Sequence, residues 1–147
     1  MRKHSGMRPQ DIVVSLKIMV RGSNPWRHLD LTNELFIGQS EISESLNRNA
    51  ISGLLNAEKK KVHGHALMEF IEHGLRYIYP ASPGAMVNGI YTAHSYPFMQ
   101  QKFATEVNYV WPAERGRVRR FSIEPLYKDV VKAVMSDEKL YKMLVLI

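Results

Sequence analysis

The chain has 147 residues, 45% hydrophobic and 23% charged, enough for one domain with a real core or for two small units sharing one. The absence of cysteine excludes disulfides, thiolate zinc sites and a cysteine nucleophile. No run approaches the roughly 18 apolar residues needed to span a bilayer, and the net charge of +6 suits a polyanionic partner more than a membrane core.

The basic start MRKHSGMRPQ has no apolar stretch behind it, so no signal peptide and a cytoplasmic location are expected. Pro9 suits the first position of a helix, where its missing N–H needs no partner. Ile12, Val13, Leu16, Met19 and Val20 follow with helical spacing. Gly22-Ser23-Asn24-Pro25 ends this first helix. A second is predicted over Trp26 to Leu35, with Leu31 and Leu35 in the core. Gly38 then serves as N-cap for a third helix, Gln39 to Ile51, which Gly53 terminates.

After a polar stretch from Asn56 to Lys61, a fourth helix is predicted from Gly64 to Tyr77, and residues 81–105 read as irregular. Glu106 to Trp111 alternates as a strand that Pro112 stops, and Val118 to Ile123 reads as its return strand. Two helices, Pro125 to Met135 and Asp137 to Ile147, follow, with Asp137 or Ser136 as the cap of the second.

The third helix carries the chemistry. At about 100° per residue, Ile42, Leu46 and Asn49 share one side with Ser45 at its edge. Ser40, Ser43, Glu44, Asn47, Arg48 and Ile51 fall on the other. Short polar side chains allow a helix to approach base edges closely. Asn and Arg can make bidentate contacts to adenine and guanine, and a Glu can accept from cytosine N4. Ser40, Ser43, Asn47 and Arg48 are the candidate base contacts, and Glu44 is the candidate cytosine reader. Gln39, with the N-terminal N–H groups of the helix, and Lys59, Lys60 and Lys61 are the candidate phosphate contacts. The same pattern also describes a plain amphipathic core helix.

The run Leu31-Thr32-Asn33-Glu34-Leu35-Phe36-Ile37-Gly38-Gln39-Ser40-Glu41-Ile42-Ser43-Glu44-Ser45-Leu46 resembles the helix-turn-helix of winged-helix transcriptional regulators, the MarR-like group in particular. The resemblance covers about residues 9–58 and includes the exit AISGLL. It implies a DNA-binding transcription regulator that places helix 39–51 in the major groove of double-stranded DNA, commonly as a homodimer. Phe36 stands where such turns usually carry glycine. The wing is reduced, because only Asn56 to His63 separate Leu55 from the fourth helix.

The expected fold is mainly α with a small β component: a winged-helix-like helix-turn-helix domain over residues 8–62 and an α/β extension over 63–147 that shares its core or supports dimerisation. The apolar ending LYKMLVLI fits a dimer seam. The alternative is an antitoxin-like or adaptor module that uses the same scaffold to bind a protein and reads no DNA. His65, Glu69 and His73 have the i,i+4 spacing of a helical metal site, but they also make an ordinary solvated face. No glycine-rich phosphate loop, nucleophile elbow or carboxylate pair is present, so neither enzyme activity nor a cofactor or metal is expected. Met86, Met99, Met143, Tyr91, Tyr96 and Phe98 can line an effector pocket or fill a core. Arg115, Arg117, Arg119 and Arg120 form a second basic cluster, able to meet DNA or an acidic partner from an exposed hairpin.

Overall fold

The computed structural model of the chain describes residues 6–97 and 108–145. Among these residues it is a mixed α/β structure, with seven α-helices and three strands. The chain divides into two compact units, Met1–Tyr79 and Pro80–Ile147. The sequence division at 62/63 separates the fourth helix from the first three, whereas the first compact unit runs on to Tyr79.

In the first unit α1 spans Pro9–Arg21, with Pro9 at its first turn. The N–H of Arg8 donates to the Asp11 carboxylate at 2.8 Å, which satisfies one of the donors just before the helix. The helix was expected to be amphipathic, yet eight consecutive residues, Asp11 to Ile18, are buried. Enclosure on every side is compatible with Asp11 and Lys17 because each meets an opposite charge: Arg48 for Asp11 and Glu34 for Lys17. Gly22 closes the helix at φ 61°, a conformation other residues adopt only with strain.

α2 spans His28–Leu35. It starts later than expected, because the Arg27 N–H donates to Asp30 at 2.8 Å and fixes the helix start there. Its end is Phe36, in the left-handed region at φ 58°. A side chain in that region costs about 1–3 kcal/mol relative to a relaxed one, so the turn that more often holds glycine is strained here. α3 spans Gln39–Ile51, within the bounds that Gly38 and Gly53 predict. Leu31 and Leu35 of α2 and Ile42 and Leu46 of α3 are wholly buried, so α1, α2 and α3 pack around a common aliphatic centre.

The segment after α3 is a minimal hairpin, joined by a single antiparallel bridge between Leu55 and Val62. The His63 N–H donates to the Leu54 carbonyl at 2.8 Å and the Asn56 N–H to the Lys61 carbonyl at 2.9 Å. The Asn56 side-chain oxygen accepts from the N–H groups of Lys60 and Lys61 and ties off the tip. α4 (Gly64–His73) and α5 (Leu75–Ile78) replace the one helix expected through Tyr77, because the chain departs from helical geometry at Gly74. The Tyr79 hydroxyl donates to the Met7 carbonyl at 2.6 Å and fastens the end of the unit to its start. Burial, with the Asp11 charge adding to it, raises the Tyr79 phenol above its usual pKa, so the hydroxyl stays a donor.

In the second unit β1 (Met86–Tyr91) occupies part of the segment read as irregular. Asn88 and Gly89 in its middle have low strand propensity, and the strand exists because two others flank it. β2 spans Tyr109–Pro112 and β3 spans Val118–Ser122. β1 is antiparallel to both, with Ile90 opposite Trp111 and Asn88 opposite Arg119. β3 was expected to return antiparallel to β2. Instead the two run parallel, with Tyr109 opposite Phe121, and the three strands close on one another. α6 (Val130–Met135) and α7 (Glu138–Leu144) follow, and the Asp137 carboxylate caps α7 by accepting from the Leu140 N–H at 3.0 Å. α6 is shorter than its predicted span, and the expected apolar end at Leu146 and Ile147 lies outside the described residues, as do Phe98 and Met99. Val110, Ala133, Val134 and Leu140 are buried, Tyr141 stacks on Trp111, and the half-buried Tyr96 meets the Tyr141 ring at a tilt of 40°. No helix among the described residues is long and apolar enough to cross a membrane.

Gly89 is the tightest point of the sheet, facing Pro112 of β2 and Val118 of β3. A Cβ there would overlap the Trp111 carbonyl, and one on Gly116 would strike the Gly89 backbone. Backbone has little room to yield, so Gly89→Ala is expected to destabilise the second unit by at least the ~1–3 kcal/mol of an overpacked core. The check is a lowered thermal midpoint together with loss of the tryptophan near-ultraviolet circular dichroism signal.

Candidate nucleic-acid interface

α3 is oriented from its buried side. Arg48 and Asp11 form a forked ion pair, Nε to Oδ2 and Nη2 to Oδ1, both at 2.8 Å. The Arg48 side chain is 4% exposed and that of Asp11 is fully buried. The hydrogen bond to Asp11 outweighs desolvation and raises the Arg48 pKa further, so the guanidinium is permanently charged. One residue on, the Asn49 amide donates to the Asp11 carbonyl at 3.1 Å and to the Ser45 carbonyl at 3.0 Å. α3 is thus pinned to the first turn of α1 through both the side chain and the backbone of Asp11.

This corrects the placement of Arg48. The helical wheel puts it on the outward face as a base contact, but its guanidinium lies under the helix with both forks engaged. Angle alone could not show this, because the partner that draws it inward is 37 positions earlier in the chain. Ser45 and Asn49 are buried as the wheel predicts, and Ile51 is half-buried.

The remaining candidates on the helix are brought together. Gln39, Ser40, Ser43, Glu44 and Asn47 are all exposed. Ser40, Ser43 and Asn47 follow the i, i+3, i+7 pattern of a single helical stripe. Gly38 offers no side-chain cap, so the first N–H groups of α3 point away from the helix with the positive end of its dipole. Glu41, which could have repelled a phosphate, accepts from Gln10 at 3.0 Å and sits 3.4 Å from the Arg8 guanidinium. Glu44 is 3.7 Å from Arg48 but 61% exposed, so its charge is offset only in part.

The lysines divide. Lys60 lies over the Trp26 ring, 4.9 Å from its centroid, so the hairpin tip is laid against the residues that precede α2. Lys59 is half-buried in the left-handed region at φ 61°, and Lys61 is exposed. Lys60 and Lys61 are exposed, but Lys60 rests on the Trp26 ring, so Lys61 is the one of the three that is exposed with no ring contact among the described residues. No protein-family model matches the chain, and no curated protein or solved structure does either.

An open groove of about 620 Å³ that the sequence reading missed lies on the same unit, lined by Met7, Ser52, Leu54, Ala66, Phe70 and His73 among others. Its one legible sign was Phe70 beside half-polar neighbours on the fourth helix. Among the described residues no three His, Asp or Glu side chains are disposed to hold a metal ion. His63 instead engages the Gly53 carbonyl at 2.9 Å, and His73 lies near Glu72.

Removing one partner of a buried pair leaves the other charge stranded, which costs roughly 3–5 kcal/mol. Arg48→Ala and Asp11→Ala are each expected to lower first-unit stability by about that amount, read as urea midpoints. Arg48→Lys recovers only part of it, because an ammonium cannot form the two-pronged contact. The double substitution is expected to lose clearly less than the sum of the single losses. Additive losses would mean that the pair carries no coupling.

Proposed function

We propose that this chain is a sequence-specific DNA-binding transcription regulator that lays α3 in the major groove. The observation that carries the reading is the outward stripe of short, uncharged polar side chains, Ser40, Ser43 and Asn47, on a helix locked from beneath by Asp11 and Arg48. A reading helix must hold its side chains in fixed register, and the buried pair supplies that rigidity. The order of three packed helices followed by a minimal hairpin supports a winged-helix reading of the first unit. In this arrangement Asn47 reads adenine, Ser40 and Ser43 contact base edges or phosphate, and Gln39 with the free helix start holds the backbone. Lys61 adds a phosphate contact from the hairpin. A homodimer would present two such helices to half-sites about 34–36 Å apart.

A second reading is favoured by the groove beside α4 and by the exposed Glu44: an adaptor or antitoxin-like module whose partner is a protein. The hairpin, reduced to one bridge with Lys60 held on Trp26, also leaves little to grip a minor groove. The two readings separate in one experiment.

Selection on random duplex DNA is expected to enrich a defined site. Asn47→Ala is then expected to weaken binding to that site by about 1–3 kcal/mol while leaving a scrambled duplex unaffected. Lys61→Gln is expected to weaken both duplexes alike and to reduce the salt slope by about 0.9. If no sequence is enriched, or if Asn47→Ala binds the enriched site as tightly as the parent chain, the DNA reading fails and the adaptor reading takes its place.

A further inference from the structure

The second unit carries a surface of a different kind. Arg119 and Phe121 are two apart on β3 and therefore point to the same face of the strand. Across the antiparallel pair, Asn88 is opposite Arg119 and Met86 is opposite Phe121, so all four side chains share one face. Ile90 and Trp111 continue this face toward the other end of β1. There it is covered: Trp111 is 5% exposed, with Tyr141 of α7 stacked 5.6 Å away. The Met86 end is uncovered. Met86 is 44% and Phe121 43% exposed, an unusual state for paired large apolar side chains in a sheet.

Away from Phe121, β3 and the turn before it are basic. Arg115, Arg117, Arg119 and Arg120 are all exposed, and Arg117 continues the Arg119–Phe121 alternation one step before the strand. Among the described residues none of the four is paired with a carboxylate; the Arg120 guanidinium donates only to the neighbouring Arg119 carbonyl at 2.7 Å. Glu114 and Glu124, exposed at either end of the segment, leave two positive charges in excess.

An aromatic ring in line with two arginines on a strand face matches one ligand better than the others. A duplex offers such a face phosphates only, with its bases stacked and out of reach of Phe121. An acidic polypeptide satisfies the arginines and leaves the ring without a partner. A single strand supplies both groups at once, since unstacked bases lie on aromatic faces while the backbone runs along the cations. We propose that this strand face binds single-stranded nucleic acid: a base stacks on Phe121 against Met86, Arg119 and then Arg117 neutralise successive phosphates as the backbone runs along β3 from that base, and the Asn88 amide is within reach of a base edge. This surface stands on the sheet of the second unit and does not depend on the role of α3.

The test is fluorescence anisotropy of the full chain with a labelled oligothymidylate of about twelve nucleotides, against a duplex of equal length, over a range of salt. The single strand is expected to bind more tightly. Phe121→Ala is expected to weaken it by about 5- to 150-fold, the worth of one stacked base, while Phe121→Trp retains binding. The pair Arg117→Gln, Arg119→Gln is expected to lower the salt slope by about 1.4, at about 0.7 per phosphate. All of these side chains are exposed, so thermal midpoints should stay at the parent value; a midpoint that falls would place Phe121 in the core and overturn the assignment. Asn47→Ala should leave oligothymidylate binding unchanged, which separates this surface from α3. The proposal is overturned by no binding at about 50 mM salt, by Phe121→Ala binding like the parent, or by tighter binding to the duplex. Polyglutamate displacing the strand at equal charge concentration would also overturn it, and would mark the face as a site for an acidic protein.

Discussion

One carboxylate sets the attitude of α3. Asp11 receives the Arg8 N–H and both prongs of Arg48, and its own carbonyl receives Asn49. It therefore caps α1 and grips the C-terminal half of α3 at the same time. A carboxylate taken fully out of water carries a desolvation penalty of several kcal/mol, which only close and well-directed contacts can offset. The two 2.8 Å prongs meet that demand, and they do so in one geometry. An apolar contact in the same place would hold α3 against α1 almost as well, but it would tolerate sliding and rotation. The forked pair does not, because a small rotation of α3 breaks both bonds together.

The outer face follows from the inner one. With Arg48, Ser45 and Asn49 turned inward, what remains outside on α3 is Ser40, Ser43, Glu44 and Asn47. The helix therefore presents short neutral donors and acceptors beside one carboxylate, Glu44, in place of an arginine. Such a face has little long-range attraction of its own, so any discrimination it achieves must come from direct hydrogen bonds at close approach. A rigid support matters more for this kind of surface than for a charged one, because hydrogen bonds weaken steeply with misalignment while Coulomb attraction does not.

The elements bounded by local signals were legible in the sequence. Pro9, Gly22, Gly38 and Gly53 act on their own backbone, and the limits of α1 and α3 fall where they predict. The Asp137 cap was legible for the same reason. What depends on distant partners was not. Arg48 looked outward until Asp11 was placed beside it. β1 looked irregular because Asn88 and Gly89 do not favour a strand, and Gly89 is required there by two neighbouring backbones that only the folded chain brings together. The parallel pairing of β2 with β3 was hidden likewise, since a short link between two strands ordinarily predicts a hairpin. In the candidate interface, the serines and Asn47 were found from periodicity, whereas the grip of Trp26 on Lys60 needed coordinates.

Counting charges along the chain also misleads about where positive charge is free. The N-terminal part has the larger surplus, ten Lys and Arg against six acids up to Lys61, while the rest has ten against eight. Ion pairing leaves that net surplus unchanged but engages many of the cations that make it up. Arg48 is committed to Asp11, Lys17 and Arg21 meet Glu34, Arg8 lies near Glu41, and Lys60 covers Trp26. The second unit keeps positive charge concentrated, with four exposed arginines within six positions and, among the described residues, none of them paired with a carboxylate. Electrostatic attraction of a polyanion depends on how densely unpaired charge is gathered at the surface as well as on net charge, and the arginines of residues 115–120 are the densest run of exposed cations among the described residues. Long-range attraction and short-range hydrogen bonding make opposite demands on a surface: the first wants unpaired charge gathered together, and the second wants neutral groups held still.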